Sequence, residues 1–265
     1  MNDYHDPFFC VPRTPHATRR GYVDLPILYQ DSTAVLAFFA CDQEKASALL
    51  PPGRLSPAFT WKSRTLVGLA LFEYRVTSIG QYNEVGLAIP AIWKRGPVPA
   101  CPVADLLRSA YTRRVGYYIV DLPVTTENAW TAGRELWGYP KFIAPIDFKL
   151  QRKRLRCRVH DPDQRDDIMT IEGRLGVGLP SPALDLVTFE CVGDQDRRTV
   201  IQTGGVGRFY KAGGVLLRLG TSSHPMATRL RSLALDGARP LAMWVSTRFQ
   251  SRLNASAPLV SGSLA

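Results

Sequence analysis

The sequence predicts a mainly β fold of the α+β class, organised as a single domain over residues 1–265. Three observations carry this. The 21 glycines and 20 prolines are spread along the chain and break it into short segments. Most of those segments are rich in β-branched and aromatic residues, and only a few have helical spacing. No linker, internal repeat or low-complexity block divides the chain.

Taken in order, 23–29 and 33–41 read as strands. Asp42 caps a short helix, 43–50, that Pro51-Pro52-Gly53 ends. Residues 65–77 form a strand rich in Val, Leu, Phe and Tyr; turn residues follow at 79–83, and a strand resumes over 84–92. After a loop at 97–102, Leu106, Leu107 and Ala110 share a helical face, which predicts a helix over 103–113. Residues 116–122 form a strand, and Thr126 caps a helix over 127–136. Apolar residues then fall at Ile146, Phe148 and Leu150, but at Leu155, Cys157 and Val159 beyond Lys153. One regular strand cannot change faces, so a turn near 151–153 makes a hairpin. Further strands are expected at 168–174, 185–191, 199–203, 214–219 and 240–248, with an amphipathic helix over 225–235.

Composition narrows the function. Hydrophobic residues are 45% and charged residues 21%, which is globular and excludes a disordered chain. The longest apolar run, 34–41, is too short to span a bilayer, and the first six residues lack the basic and apolar regions of a secretory signal; a cytoplasmic protein with no membrane partner is expected. Five scattered cysteines outside any CxxC pair read as reduced thiols, and four isolated histidines argue against a His/Cys metal site. The net charge of +10 raises a polyanion as partner. The basic residues concentrate at Arg152, Lys153, Arg154, Arg156 and Arg158. Because Asp161, Asp163, Asp166 and Asp167 come next, a solvated strand face is the preferred reading and no nucleic-acid partner is expected.

The segment with the most chemistry is Gly133-Arg134-Glu135-Leu136-Trp137-Gly138-Tyr139-Pro140-Lys141-Phe142. It sets one lysine among bulky apolar groups at a bend fixed by Gly138 and Pro140. Such a lysine either lays its stem on apolar surface with its head in water, or is a desolvated amine able to attack a carbonyl.

This segment resembles the active-site signature of the acetoacetate decarboxylase family, in which the lysine after Tyr-Pro forms a Schiff base with a β-keto acid. Gln81-Tyr82-Asn83-Glu84-Val85-Gly86-Leu87-Ala88-Ile89-Pro90 resembles a second family segment. The resemblance implies a closed conical β-barrel with a few peripheral helices, assembled into a homo-oligomer, acting on a small-molecule keto acid without a cofactor or metal. It places Lys141 as the nucleophile, Glu84 as the acid/base group and Glu73 as a second acid, although Glu73 can equally serve an arginine as a structural partner. Arg20, Tyr82, Trp137, Tyr139 and Phe142 are the substrate-binding candidates. The sequence departs from the family at two points. The family's second lysine is replaced by Phe142, and its N-terminal arginine falls at Tyr22, two residues beyond Arg20. The implied reaction is decarboxylation of a β-keto acid through a lysine imine. The alternatives are aldolase or aldol-dehydratase chemistry on a keto acid through the same lysine, and a non-catalytic small-molecule-binding barrel.

Overall fold

The structure, a computed structural model, describes residues 6–211 and 213–260. Residues 1–5, most of the segment read for a secretory signal, lie outside them. Eight strands build the part of the molecule that holds the lysine: β1 (Ile27–Asp42), β2 (Arg64–Thr77), β3 (Tyr82–Trp93), β4 (Val115–Val124), β5 (Lys141–Ile143), β6 (Leu186–Val192), β7 (Gln195–Gly204) and β8 (Ala242–Leu253). β8, β1, β2, β3 and β4 form a continuous antiparallel ladder. β4 then pairs in parallel with β6, β6 with β7, and β7 with β8, so the sheet closes on itself as a ring. Closure leaves the ring strands no open edge. β5 is attached outside the ring order, parallel to β4.

A second, four-stranded antiparallel sheet, Ile146–Gln151, Arg154–His160, Asp167–Arg174 and Gly214–Leu219, packs against one side of the ring with the helix Pro225–Ser232. The ring strands are therefore apolar on both faces. Along β1, Val35, Ala37 and Phe39 belong to the core shared with the second sheet, while Ala34 and Leu36 face the ring interior. β2 and β3 alternate likewise, with Phe72, Tyr74, Tyr82 and Glu84 turned inward.

The expected elements are largely present. Asp42 caps the helix Gln43–Ser47 by accepting from Lys45 N–H at 3.0 Å. The hairpin turn falls at Arg152 and Lys153, both at positive φ, between strands paired through Gln151 and Arg154. Four differences have physical causes. Residues 30–32 do not break the strand; β1 runs through them with register shifts, and Ser32 Oγ donates to Phe249 O at 2.7 Å. The helix expected over 103–113 stops at Asp105. The Asp105 carboxylate accepts from Arg114 and Val115 N–H, both at 2.8 Å, and buried Arg198 takes up the carbonyls of Ala110 and Tyr111 at 2.5 and 2.7 Å, so turns replace the helix. β7 begins earlier than expected, at Gln195, where it pairs with β6, and β8 runs on to Leu253, where it pairs with β7 and β1. The strand expected over 23–29 is split at Pro26: Gly21–Leu25 pairs in a hairpin with Thr14–Thr18 and β1 begins at Ile27, while Thr14–Thr18, Leu179–Pro182 and Val206–Lys211 are strands that the sequence reading does not predict. No helix among the described residues is long and apolar enough to cross a membrane.

Candidate active site

The lysine is delivered by a helix that ends in a fixed way. Thr126 caps Glu127–Ala132, and the helix continues as a π turn over Gly133–Trp137. Gly138, at φ 71°, then reverses the chain in the left-handed region that suits glycine. Tyr139 N–H reaches back to Gly133 O at 3.0 Å. β5 begins at once, with Lys141 opposite Leu122 of β4. Neighbours across a ladder share a face, so Lys141 and Leu122 both turn into the ring and Phe142 turns away. Arg134 Nη1 donates to Lys141 O at 3.2 Å and ties the strand back to the π turn. Gly133 leaves room for the lysine stem: a Cβ there would stand 2.4 Å from both Lys141 Cδ and Cε.

Inside the ring is a cavity of about 120 Å³. Leu36, Phe72, Ile119, Leu122, Phe249 and Leu253 give it an apolar wall; Tyr29, Tyr74, Tyr117, Tyr139, Thr188 and Ser251 add hydroxyl groups. Among the described residues no arginine, and no lysine besides Lys141, lines it. Lys141 is 6% exposed and Glu84 7%. The Lys141 amine stands 2.7 Å from Glu84 Oε2. Tyr74 donates to Glu84 Oε1 at 3.4 Å, and the Lys141 amine is 5.7 Å from the Tyr82 ring centroid. Each charge thus has a direct partner in a site with little water, which a buried ion needs.

Three tyrosines back the pair. The Tyr29 and Tyr82 hydroxyls are 3.0 Å apart, and the Tyr74 ring lies 4.4 Å from that of Tyr29 and 4.7 Å from that of Tyr82. Burial, and then the charge of Glu84, pushes the Tyr74 phenol well above its usual range; burial and the coupled Tyr29 and Glu84 do the same for Tyr82. These phenols stay protonated, so each keeps a proton to donate besides the lone pairs with which it accepts. A buried carbonyl held here meets an amine, a carboxylate able to take the amine's proton, and neutral hydroxyl donors.

The structure brings Lys141, Glu84, Tyr82 and Tyr139 together and leaves the other candidates outside. Glu73 points to the opposite face of β2 from Tyr74. Arg75 Nη1 donates to it at 2.7 Å, and the same arginine reaches Asp31 at 2.7 and 2.8 Å. It is the structural partner of an arginine. Arg20 lies on the surface, paired with Glu127 and donating to Asn128 Oδ1 at 3.1 Å. Trp137 is buried behind the wall, stacked on Tyr139 with ring centroids 5.9 Å apart and Nε1 donating to Asn254 O at 3.0 Å. Phe142 packs on His224, ring centroids 4.4 Å apart. The position where the family signature carries its second lysine therefore faces away from the cavity. The basic hairpin is an outer sheet face, with Arg156 and Arg158 reaching Glu172 and Asp167 at 3.6 and 3.2 Å.

Sequence reasoning missed Tyr29, Tyr74, Gly133, Thr188 and Glu190. Tyr74 was within reach of it: Phe72-x-Tyr74 and Tyr82-x-Glu84 share an alternating pattern, and in the register Phe72 faces Glu84 and Tyr74 faces Tyr82.

Several solved structures share this architecture. An acetoacetate decarboxylase from Legionella pneumophila has a TM-score of 0.61 at 15% identity, covering 96% of this chain and 94% of that one. The enduracididine biosynthesis enzyme MppR, complexed with pyruvate, has a TM-score of 0.61 at 10% identity, covering 91% and 93%. An acetoacetate decarboxylase-like enzyme from Sphingomonas wittichii has a TM-score of 0.59 at 15% identity, covering 90% and 94%. No curated protein matches the chain in sequence. The family model for acetoacetate decarboxylase matches residues 10–190, a stretch that holds Glu84, Lys141 and the turn that delivers it, and the chain belongs to that family.

Proposed function

We propose that this protein is a single-domain enzyme that forms an imine between Lys141 and the ketone of a small keto acid, and that it decarboxylates a β-keto acid by that route. The observation that carries this is the buried Lys141 amine, 2.7 Å from the Glu84 carboxylate at the wall of an apolar cavity. Glu84 takes a proton from the ammonium, and the neutral amine adds to the ketone carbon. Loss of water leaves an iminium. The bond to the β-carboxylate carbon breaks, its electron pair moves toward the iminium nitrogen, and carbon dioxide and an enamine result. Glu84, which returns its first proton to the departing hydroxyl as water forms, is a carboxylate again at this stage; the enamine carbon takes a proton that Glu84 relays from solvent, and water releases the ketone and the amine. Because among the described residues no cation other than Lys141 lines the cavity, the carboxylate sits among apolar and hydroxyl groups, which favours its conversion to neutral carbon dioxide.

A second reading keeps the imine and changes the step after it. Deprotonation of a pyruvate-like imine at the methyl carbon gives an enamine that keeps its carboxylate and can attack an aldehyde. It is favoured by the likeness to MppR bound to the condensation product of pyruvate and imidazole 4-carboxaldehyde, a TM-score of 0.59 at 11% identity. Borohydride reduction in the presence of acetoacetate, longer β-keto acids or pyruvate is expected to fix one ligand mass on Lys141 and none on Lys141→Gln. Carbon dioxide release separates decarboxylation from aldol addition. A wild type that yields no adduct with any keto acid overturns both readings and leaves a binding barrel.

A further inference from the structure

Glu190 is a buried acid beside the cavity that this chemistry leaves unused. Leu186, Thr188 and Glu190 alternate along one face of β6. The first two line the cavity, while Val187 and Phe189 belong to the core on the other face. Glu190 is 4% exposed. Its Oε1 lies 2.5 Å from Thr188 Oγ1, which lies 2.8 Å from the Tyr139 hydroxyl. Its Oε2 is buried and has no hydrogen-bond partner among the described residues. A carboxylate so placed is poorly solvated, whereas a neutral acid asks for less. Arg197, opposite it in the β6–β7 register, and Arg198 are the charged groups around it; Tyr139 and Cys191 are the titratable ones. Burial outweighs the hydroxyls of Thr188, Thr199 and Tyr139 and the charge of Arg197, and pushes the Glu190 carboxyl up to about 8.

A row of hydroxyls has a direction, and the acid at its end sets it. With Glu190 neutral, its O–H donates to Thr188, Thr188 donates to Tyr139, and the Tyr139 proton is free to point into the cavity. With Glu190 ionised, every bond reverses, and the cavity meets an acceptor instead. We propose that neutral Glu190, acting through Thr188, is a positioning residue that makes the Tyr139 hydroxyl a hydrogen-bond donor to an oxygen of the bound keto acid. The choice of ligand rests on the imine reading; the direction of the chain does not.

Two measurements keep these apart. Infrared titration is expected to show the carbonyl band of a protonated carboxyl group at neutral pH, lost with a midpoint near the value of about 8 given by burial and absent from Glu190→Gln. Thr188→Val and Tyr139→Phe should each shift that band. Pyruvate binding, followed by calorimetry so that it needs no imine, should weaken about tenfold in Thr188→Val and Tyr139→Phe, the effect of one lost hydrogen bond. In the wild type it should also weaken as pH rises through the band's midpoint. In Glu190→Gln, whose amide N–H supplies a permanent donor, that weakening should vanish. A wild type without the band at neutral pH, or with a band that neither neighbour shifts, overturns the proposal. A wild type that shows the band but binds no keto acid overturns its ligand half together with the reading it rests on.

Discussion

Glu84 and Glu190 are both buried beside the same cavity, and their company differs. Glu84 has an ammonium at 2.7 Å and a phenol at 3.4 Å. Glu190 has a threonine hydroxyl at 2.5 Å and one oxygen with no hydrogen-bond partner among the described residues. Equal burial therefore gives opposite chemistry. The first acid belongs to an ion pair and can exchange a proton with its partner. For the second, burial outweighs the hydroxyls and the arginine that favour the charged form, and the proton is held more tightly.

The largest effect is expected from breaking the ion pair. Glu84→Gln leaves the Lys141 charge buried without its carboxylate, which costs about 3–5 kcal/mol when one partner of a buried pair is removed. Imine formation, read as the rate of borohydride trapping, should fall by about 10²–10⁴-fold with the acid/base group gone. The double variant Lys141→Met/Glu84→Gln should regain most of the stability and none of the trapping. A loss below about 1 kcal/mol in denaturant unfolding of Glu84→Gln would mean that the pair behaves as an exposed one.

The same change at Glu190 should do the reverse. In the unfolded chain this carboxyl loses its proton near 4.5, and in the folded protein near about 8. Between those values the native state holds one more proton, so the Glu190 contribution to stability is full at acid pH and falls as pH rises through that window. The slope is about 1.4 kcal/mol per pH unit at most. Glu190→Gln removes it. The variant is expected to gain on the wild type steadily from weakly acid to weakly alkaline pH in thermal or denaturant unfolding, and a constant difference would show that Glu190 is not protonated in the fold.

A smaller effect tests the space around Lys141. Gly133 has φ −65° and ψ −39°, ordinary helical values. If it served only the helix, Gly133→Ala would stabilise by up to about 1 kcal/mol. The methyl group instead meets Lys141 Cδ and Cε at 2.4 Å. Overpacking of about 1–3 kcal/mol and slower trapping are expected, and a stabilised variant that traps at the wild-type rate would show that the lysine does not depend on this gap.

The sequence made Lys141 and Glu84 legible through two short motifs, and the alternating strands with them. It could not say which face of each strand is the inside. Polar residues mark the outside when a sheet has one wet face, but Val35 and Leu36, or Thr188 and Phe189, are apolar or buried on both sides of the ring. For that reason Glu190 carried no signal. The helix expected over 103–113 failed differently: Leu107, expected on its apolar face, is exposed, and buried Arg198 and Asp105 hold the carbonyls of Ala110 and Tyr111 and the N–H groups of Arg114 and Val115 in turns.

Glu73 is where that ambiguity has the smallest consequence and the sharpest test. The family resemblance sets it beside Glu84, but in the β2–β3 register it faces Asn83, and Phe72 faces Glu84. One residue of offset places a side chain on the other face of the sheet. Glu73 therefore meets Arg75, which keeps two contacts to Asp31 whether or not Glu73 is present. The Glu73 side chain is 37% exposed, so solvent screens the pair. Glu73→Gln is expected to cost no more than about 1 kcal/mol and to leave borohydride trapping on Lys141 at the wild-type rate. A tenfold loss of trapping with unchanged stability would place Glu73 in the chemistry after all, and would require β2 to shift its register against β3 in the working protein.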